Sequence, residues 1–134
     1  MPDPSVLVVE DDDTIRQLLT EYLTSHSHVM VESARDGVEA LHQISTKPYD
    51  VVVLDIVMPK MSGVDLLDSL AALRGDPSVS SSQPLPAVLV ITSMSDGDVP
   101  DRALANRCPE VVRGVFRKPL EIGALAEEVQ RYLR

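Results

Sequence analysis

Charged residues stand directly behind apolar runs at three separated places in this chain. Glu10-Asp11 follows Val6–Val9, Asp55 follows Val51–Leu54, and Arg117-Lys118 follows Val115-Phe116. Carboxylate oxygens are the ligands that hard divalent cations prefer, and a lysine is a compact point charge suited to a phosphoryl oxygen. Nearly continuous Val, Ile and Leu is what a parallel strand looks like, because both faces of a parallel sheet are covered. In open α/β sheets ligands bind beyond the carboxyl ends of the strands. The three places together predict one cation-and-phosphoryl site assembled from distant parts of the chain.

The elements that must position these residues alternate in type. Ser5–Val9 reads as a first strand. Ile15, Leu18, Leu19, Tyr22 and Leu23 follow at helical spacing, with Asp12 or Asp13 placed to cap the start. His28–Val31 reads as a second strand, and Val38, Leu41 and Ile44 mark a second helix that Pro48 stops. Tyr49–Leu54 is the most apolar strand and is predicted to be central. Beyond Met58-Pro59, the residues Val64, Leu67, Leu70 and Leu73 line a third helix. A strand at Ala87–Ile91 and a short fourth helix bracketed by Pro100 and Pro109 come next, then a strand at Val111–Phe116. Ile122, Leu125, Val129 and Leu133 define a closing amphipathic helix. Five βα units with right-handed crossovers predict an α/β fold: a (βα)5 doubly wound, five-stranded parallel sheet between two helix layers.

The 134 residues fit one domain spanning 1–134, with a short tail at 1–4 and a long surface loop at 75–86. The apolar fraction of 44% is ordinary for a globular chain, so disorder is not the default. The net charge is −9 and no basic run occurs, which argues against a nucleic-acid surface. Cys108 is the sole cysteine, so no intrachain disulfide forms and a reducing compartment suits the chain. All apolar runs are short and the amino terminus lacks a signal-peptide pattern. These features lead to the expectation of a cytoplasmic protein without a membrane span.

The chain resembles the response-regulator receiver domains of two-component signalling from Ser5 to Leu133. The matching pieces are Glu10-Asp11, the loop Asp55-Ile-Val-Met-Pro-Lys-Met-Ser-Gly63, Thr92-Ser93, and Lys118-Pro119. Each is weak alone, but four in order, each behind the right strand, are specific. The resemblance implies the strand order 2-1-3-4-5, which periodicity cannot supply. It implies that Asp55 is the nucleophile toward a phosphohistidine, and that Mg²⁺ is held by Asp11, Asp55 and the carbonyl of Val57, with Glu10 acting through water. Lys118 and the Thr92 hydroxyl would then contact phosphoryl oxygens, and the Lys118-Pro119 bond would be cis. A histidine kinase or histidine phosphotransfer protein is the implied donor, and a downstream protein the implied target. The protein itself would be a monomer or a phosphorylation-dependent dimer.

Simpler explanations cover some of these residues. Asp12 and Asp13 read as acids favouring a helix amino terminus. Ser93 competes with Thr92, which is preferred on the family pattern. His26, His28 and His42 lack ligand spacing, and Cys108 beside Pro109 reads as a small structural residue. Two positions depart from the family. Val115 stands three residues before Lys118, where an aromatic is usual, and alternation sends Val115 and Phe116 to opposite faces. The usual aromatic switch is therefore in question. Val57 is apolar where many relatives are polar, so altered autodephosphorylation is expected.

A stand-alone phosphoswitch is the preferred reading. A receiver excised from a hybrid kinase, or a receiver fold that no longer takes phosphate, are its near variants. A phosphatase using an aspartyl phosphate would need a second acid where Val57 stands. A flavin carrier would meet four consecutive acids, Glu10 to Asp13, where phosphate must sit. No enzymatic turnover beyond self-phosphorylation and its reversal is expected.

Overall fold

A computed structural model of the chain describes residues 4–26, 29–55, 65–69, 72, 86–92, 112–117 and 121–133. Strands β1 (Ser5–Val9), β2 (Met30–Ala34), β3 (Val51–Asp55), β4 (Ala87–Thr92) and β5 (Val112–Arg117) form one sheet in the order β2-β1-β3-β4-β5. Every neighbouring pair is parallel. Helices α1 (Asp13–His26) and α2 (Gly37–Thr46) and a C-terminal helix (Ile122–Tyr132) accompany it, and residues 65–69 are also helical. This is the expected doubly wound α/β architecture. The helix sought between Pro100 and Pro109, most of the 75–86 loop, and Val57, Ser93, Cys108, Lys118 and Pro119 lie outside the described residues, as does His28.

Side-chain alternation divides the core in two. Leu7, Val9, Val52, Leu54, Val88 and Val90 pack on one face with Ala40 and Ile44 of α2 and with Leu66 and Leu67. Val6, Val8, Val51, Val53, Leu89 and Ile91 pack on the other with Leu19 and Leu23 of α1 and Leu125 and Val129 of the C-terminal helix. Every residue of β1 and β3 is buried, which explains their uninterrupted apolar runs. Asp12 caps α1, its Oδ1 accepting from the Ile15 N–H at 3.0 Å. Asp36 caps α2, accepting from the Glu39 N–H at 2.8 Å, and the Asp-x-x-Glu spacing is a helix-start pattern that sequence reasoning passed over.

The second strand is displaced from the expected His28–Val31. It runs from Met30 to Ala34 because pairing with β1, from Ser5 opposite Met30 to Val9 opposite Ala34, decides where an edge strand lies. Its polar Glu32 is satisfied in place: the Lys47 ammonium and the Tyr49 hydroxyl both donate to Oε1, the latter at 2.7 Å. The Lys47 hydrogen bond, then that of Tyr49, holds the Glu32 carboxyl below its ordinary value near 4.5. Burial foremost, then the Glu32 contact, pushes the Tyr49 hydroxyl upward. A depressed carboxyl stabilises the fold above its ordinary pKa, and that contribution is lost as pH falls through the folded value. Urea denaturation across a pH series is expected to show wild type more stable than Glu32→Gln at neutral pH. The difference should shrink as pH drops below about 4.5; a pH-independent difference would contradict the ion-pair account.

The third strand begins at Val51 rather than Tyr49, and ahead of that point it is joined to β1 by Asp50. Its N–H donates to Ser5 O and its carboxylate accepts from the Ser5 N–H, each at 2.9 Å. In β5 the alternation is broken by a register shift: Val88 pairs with Val112 but Leu89 with Gly114, leaving Arg113 as an extra residue. The bulge sends Val112 and Val115, three residues apart, to the same core face. Phe116 goes to the opposite one. Val115 and Phe116 thus face opposite sides, as expected.

Candidate functional site

β1, β3, β4 and β5 present their carboxyl ends along one edge of the sheet. Glu10 directly follows β1 and still keeps to the sheet, its N–H donating to Ala34 O at 3.1 Å. Asp55 is the last residue of β3. β1 and β3 are neighbours, yet the chain next pairs outward as β2 on one side and β4 on the other, so Glu10 and Asp55 flank the topological switch point. Carboxylate oxygens of Glu10, Asp11 and Asp55 all lie within 4.8 Å of one another. Glu10 is 1% and Asp55 3% exposed, while Asp11 is open to solvent.

Thr92 ends β4 and is also buried, and its predecessor Ile91 pairs with Asp55 across the sheet. Thr92 in turn pairs with Arg117, the last residue of β5. Four of the residues singled out from the sequence therefore share this edge: Glu10, Asp11, Asp55 and Thr92. Val57 and Lys118 lie outside the described residues, and so does Ser93, the rival of Thr92.

The donor set is chemically narrow. Three carboxylates with oxygen-only ligands, two sunk in the sheet and one facing water, suit a hard divalent cation that keeps part of its hydration shell. Packed this closely, three acids of like charge are also poorly matched to anything but a cation. The residues present thus fit Mg²⁺, the ion that the resemblance implies. No other group of acids, histidines or cysteines among the described residues makes such a cluster.

One residue at this edge was missed by sequence reasoning. Arg16 of α1 reaches back over the first turn, and one guanidinium nitrogen donates to Glu10 O at 3.0 Å. Another pairs with the Asp13 carboxylate. An i,i+3 partner such as Asp13 is visible in a helical sequence. A bond to a carbonyl six residues earlier, in a segment that is not helical, has no such signature.

Comparison with known proteins agrees with this fold. Residues 6–130 match the profile of the response regulator receiver domain. The chain is 29% identical over 126 residues to a probable chemotaxis protein CheY of Rhizobium etli, covering 93% of this chain and 88% of that one. It is 39% identical over 93 residues to a protein-glutamate methylesterase/protein-glutamine glutaminase of Bacillus licheniformis, which is 69% of this chain but 24% of the relative. The chain thus spans about a quarter of the length of the methylesterase relatives it matches. Among solved structures it is similar to the Francisella response regulator 1452 receiver domain, with a TM-score of 0.77 at 25% identity, covering 97% of this chain and 96% of that one.

Proposed function

This chain belongs to the response-regulator receiver family of two-component signalling, and on that premise we propose that it is a phosphoswitch whose acceptor is Asp55. The family is one of signalling modules rather than enzymes in general, served by histidine kinases and read by downstream partners. The single observation that carries the proposal is the meeting of Glu10, Asp11 and Asp55 at the switch point of the sheet.

In the proposed reaction, a carboxylate oxygen of Asp55 attacks the phosphorus of a phosphohistidine on a histidine kinase or histidine phosphotransfer protein. A phosphorus–oxygen bond forms, the phosphorus–nitrogen bond breaks, and its electron pair returns to the imidazole. Phosphoryl transfer demands chiefly positioning and charge neutralisation, and carboxylates serve as acceptors in other phosphoryl-transfer proteins. Burial at the end of β3 holds the Asp55 nucleophile in one orientation. Asp11 and Asp55, with the Val57 carbonyl, would hold Mg²⁺, and Glu10 would act through its water. When bound, the ion neutralises charge on the transferring group. The Thr92 hydroxyl, at the end of the next strand, would donate to one phosphoryl oxygen, and Lys118 would pair with another.

No helix among the described residues is long and apolar enough to cross a membrane. A reducing cytoplasm suits the lone Cys108 and is the proposed setting. The output is altered affinity for a protein partner, the chain acting as a monomer or as a phosphorylation-dependent dimer. With Val115 in place of the family's aromatic and packed, half-buried, against the α2 side of the core, the response is proposed to be transmitted without a rotating ring.

The test is the intact mass of the protein after incubation with Mg²⁺ and acetyl phosphate, or with a phosphorylated histidine phosphotransfer protein. Wild type is expected to gain one phosphoryl group. The gain should vanish in Asp55→Asn and on removal of Mg²⁺. An unmodified wild type with both donors would instead favour a receiver-like interaction module independent of phosphate.

A further inference from the structure

We propose that Arg16 is a positioning residue for the acidic site, setting the peptide between Glu10 and Asp11 and thereby the spacing of both acids from Asp55. This rests on the reading of those acids as a Mg²⁺ site. Arg16 is 16% exposed although its helix neighbours Asp13 and Gln17 face solvent. Its guanidinium holds two groups at once, the Glu10 carbonyl and the Asp13 carboxylate. That carbonyl belongs to the peptide linking the buried Glu10 to the exposed Asp11, the two acids that β1 delivers to the site.

The loop is anchored from the helix side at three points within five residues. The Asp12 side chain caps Ile15, the Arg16 N–H donates to Asp12 O at 2.9 Å, and the Arg16 side chain reaches Glu10 O. The first two are an ordinary helix start. The third is not needed for helix formation. It fixes the orientation of a peptide whose flanking side chains must converge on one ion. Partners that orient first-contact ligands typically alter metal affinity by a factor of ten or more when removed.

Charge and position predict opposite results at this residue, which makes the assignment testable. A guanidinium bonded to the backbone of this site repels an incoming cation, so a purely electrostatic Arg16 would weaken Mg²⁺ binding. Its loss in Arg16→Gln would then tighten binding, and Arg16→Lys would leave it unchanged. A positioning Arg16 strengthens binding. A lysine keeps the charge but lacks the planar fork that spans two acceptors, so Lys and Gln should then both weaken binding.

The experiment is calorimetric titration of Mg²⁺ into wild type, Arg16→Lys and Arg16→Gln, with far-UV circular dichroism and a metal-free melting curve for each. Asp13→Asn, which takes the charge from the second anchor of the fork and so weakens it, is a further variant. Wild-type binding with about tenfold weaker binding in both Arg16 variants, at unchanged secondary structure, is the expected result. Asp13→Asn should move in the same direction by a smaller factor. Wild-type binding that Arg16→Lys matches, or Arg16→Gln exceeds, overturns the positioning role while leaving the metal site standing. Failure of wild type itself to bind Mg²⁺ overturns the metal site, and the role of Arg16 with it. Should an Arg16 variant not fold, unchanged affinity in Asp13→Asn would count against the proposal.

Discussion

Asp55→Asn is expected to melt at a higher temperature than wild type in the absence of divalent ions, and to gain nothing when Mg²⁺ is added. The cause is the cost of holding like charges together. Oxygens from Glu10, Asp11 and Asp55 lie within 4.8 Å of one another, and two of the three side chains are almost wholly removed from water. Desolvation and mutual repulsion both act against that arrangement. The amide is nearly isosteric with the acid, so it relieves repulsion without opening a cavity. A gain on the order of 1 kcal/mol corresponds to a melting point roughly 3–5 °C higher for a domain of this size. Wild type should instead be stabilised by Mg²⁺ through linkage, by about 2.7 kcal/mol at a hundred times the dissociation constant. Differential scanning calorimetry with EDTA and with Mg²⁺ measures both arms. Equal melting points in EDTA, together with an equal Mg²⁺ response, would mean that the three acids do not act as one site. The expected trade of stability for a functional charge cluster is common where a site must be ready for a ligand.

The parts of this site that sequence reasoning reached and those it did not differ for a physical reason. Glu10, Asp11 and Asp55 were legible because they stand at the ends of apolar runs, and burial of both sheet faces makes such runs unmistakable; Thr92 was marked by the family pattern alone. Their convergence depended on strand order, which local periodicity does not carry; it came with the resemblance and the sheet bears it out. Arg16 was invisible because its partner is a backbone carbonyl, and a carbonyl has no residue type. The edge strand was misplaced for a related reason. Met30–Ala34 contains Glu32, a residue that propensity disfavours in strands, and it is tolerated because the strand lies at the edge and Lys47 and Tyr49 satisfy the Glu32 carboxylate. The bulge at Arg113 likewise leaves no mark on composition, although it decides that Val112 and Val115 share a face.

Helix α1 shows the same limit at a single step of the chain. Leu18 and Leu19 are identical in type and adjacent, and both belong to the apolar set Ile15, Leu18, Leu19, Tyr22 and Leu23 that marked the helix. The structure separates them: Leu19 is 1% exposed and Leu18 is 56% exposed. A helical turn of 3.6 residues moves neighbours by about 100° around the axis, so only one of the two can point into the sheet. Leu19 and Leu23, four apart, pack with Val6, Val8, Val53 and the C-terminal helix. Truncating Leu19 to Ala removes buried methyl groups and leaves a void that rigid strands cannot close, at a cost of about 2–5 kcal/mol. Total stability for a domain of this kind is about 5–15 kcal/mol, so this variant should lose a large share of it. Leu18→Ala removes side-chain atoms that are more than half in water and should change stability by no more than about 0.5 kcal/mol. Because the chain has no tryptophan, urea unfolding is best followed by far-UV circular dichroism. A lower midpoint with unchanged slope is expected for Leu19→Ala, and a curve superimposed on wild type for Leu18→Ala. Equal losses at the two positions would show that α1 is rotated from the orientation described, and with it the first turn that carries Arg16 to the Glu10 carbonyl. The contrast between two adjacent leucines therefore tests the helix that frames the acidic site as directly as it tests the core.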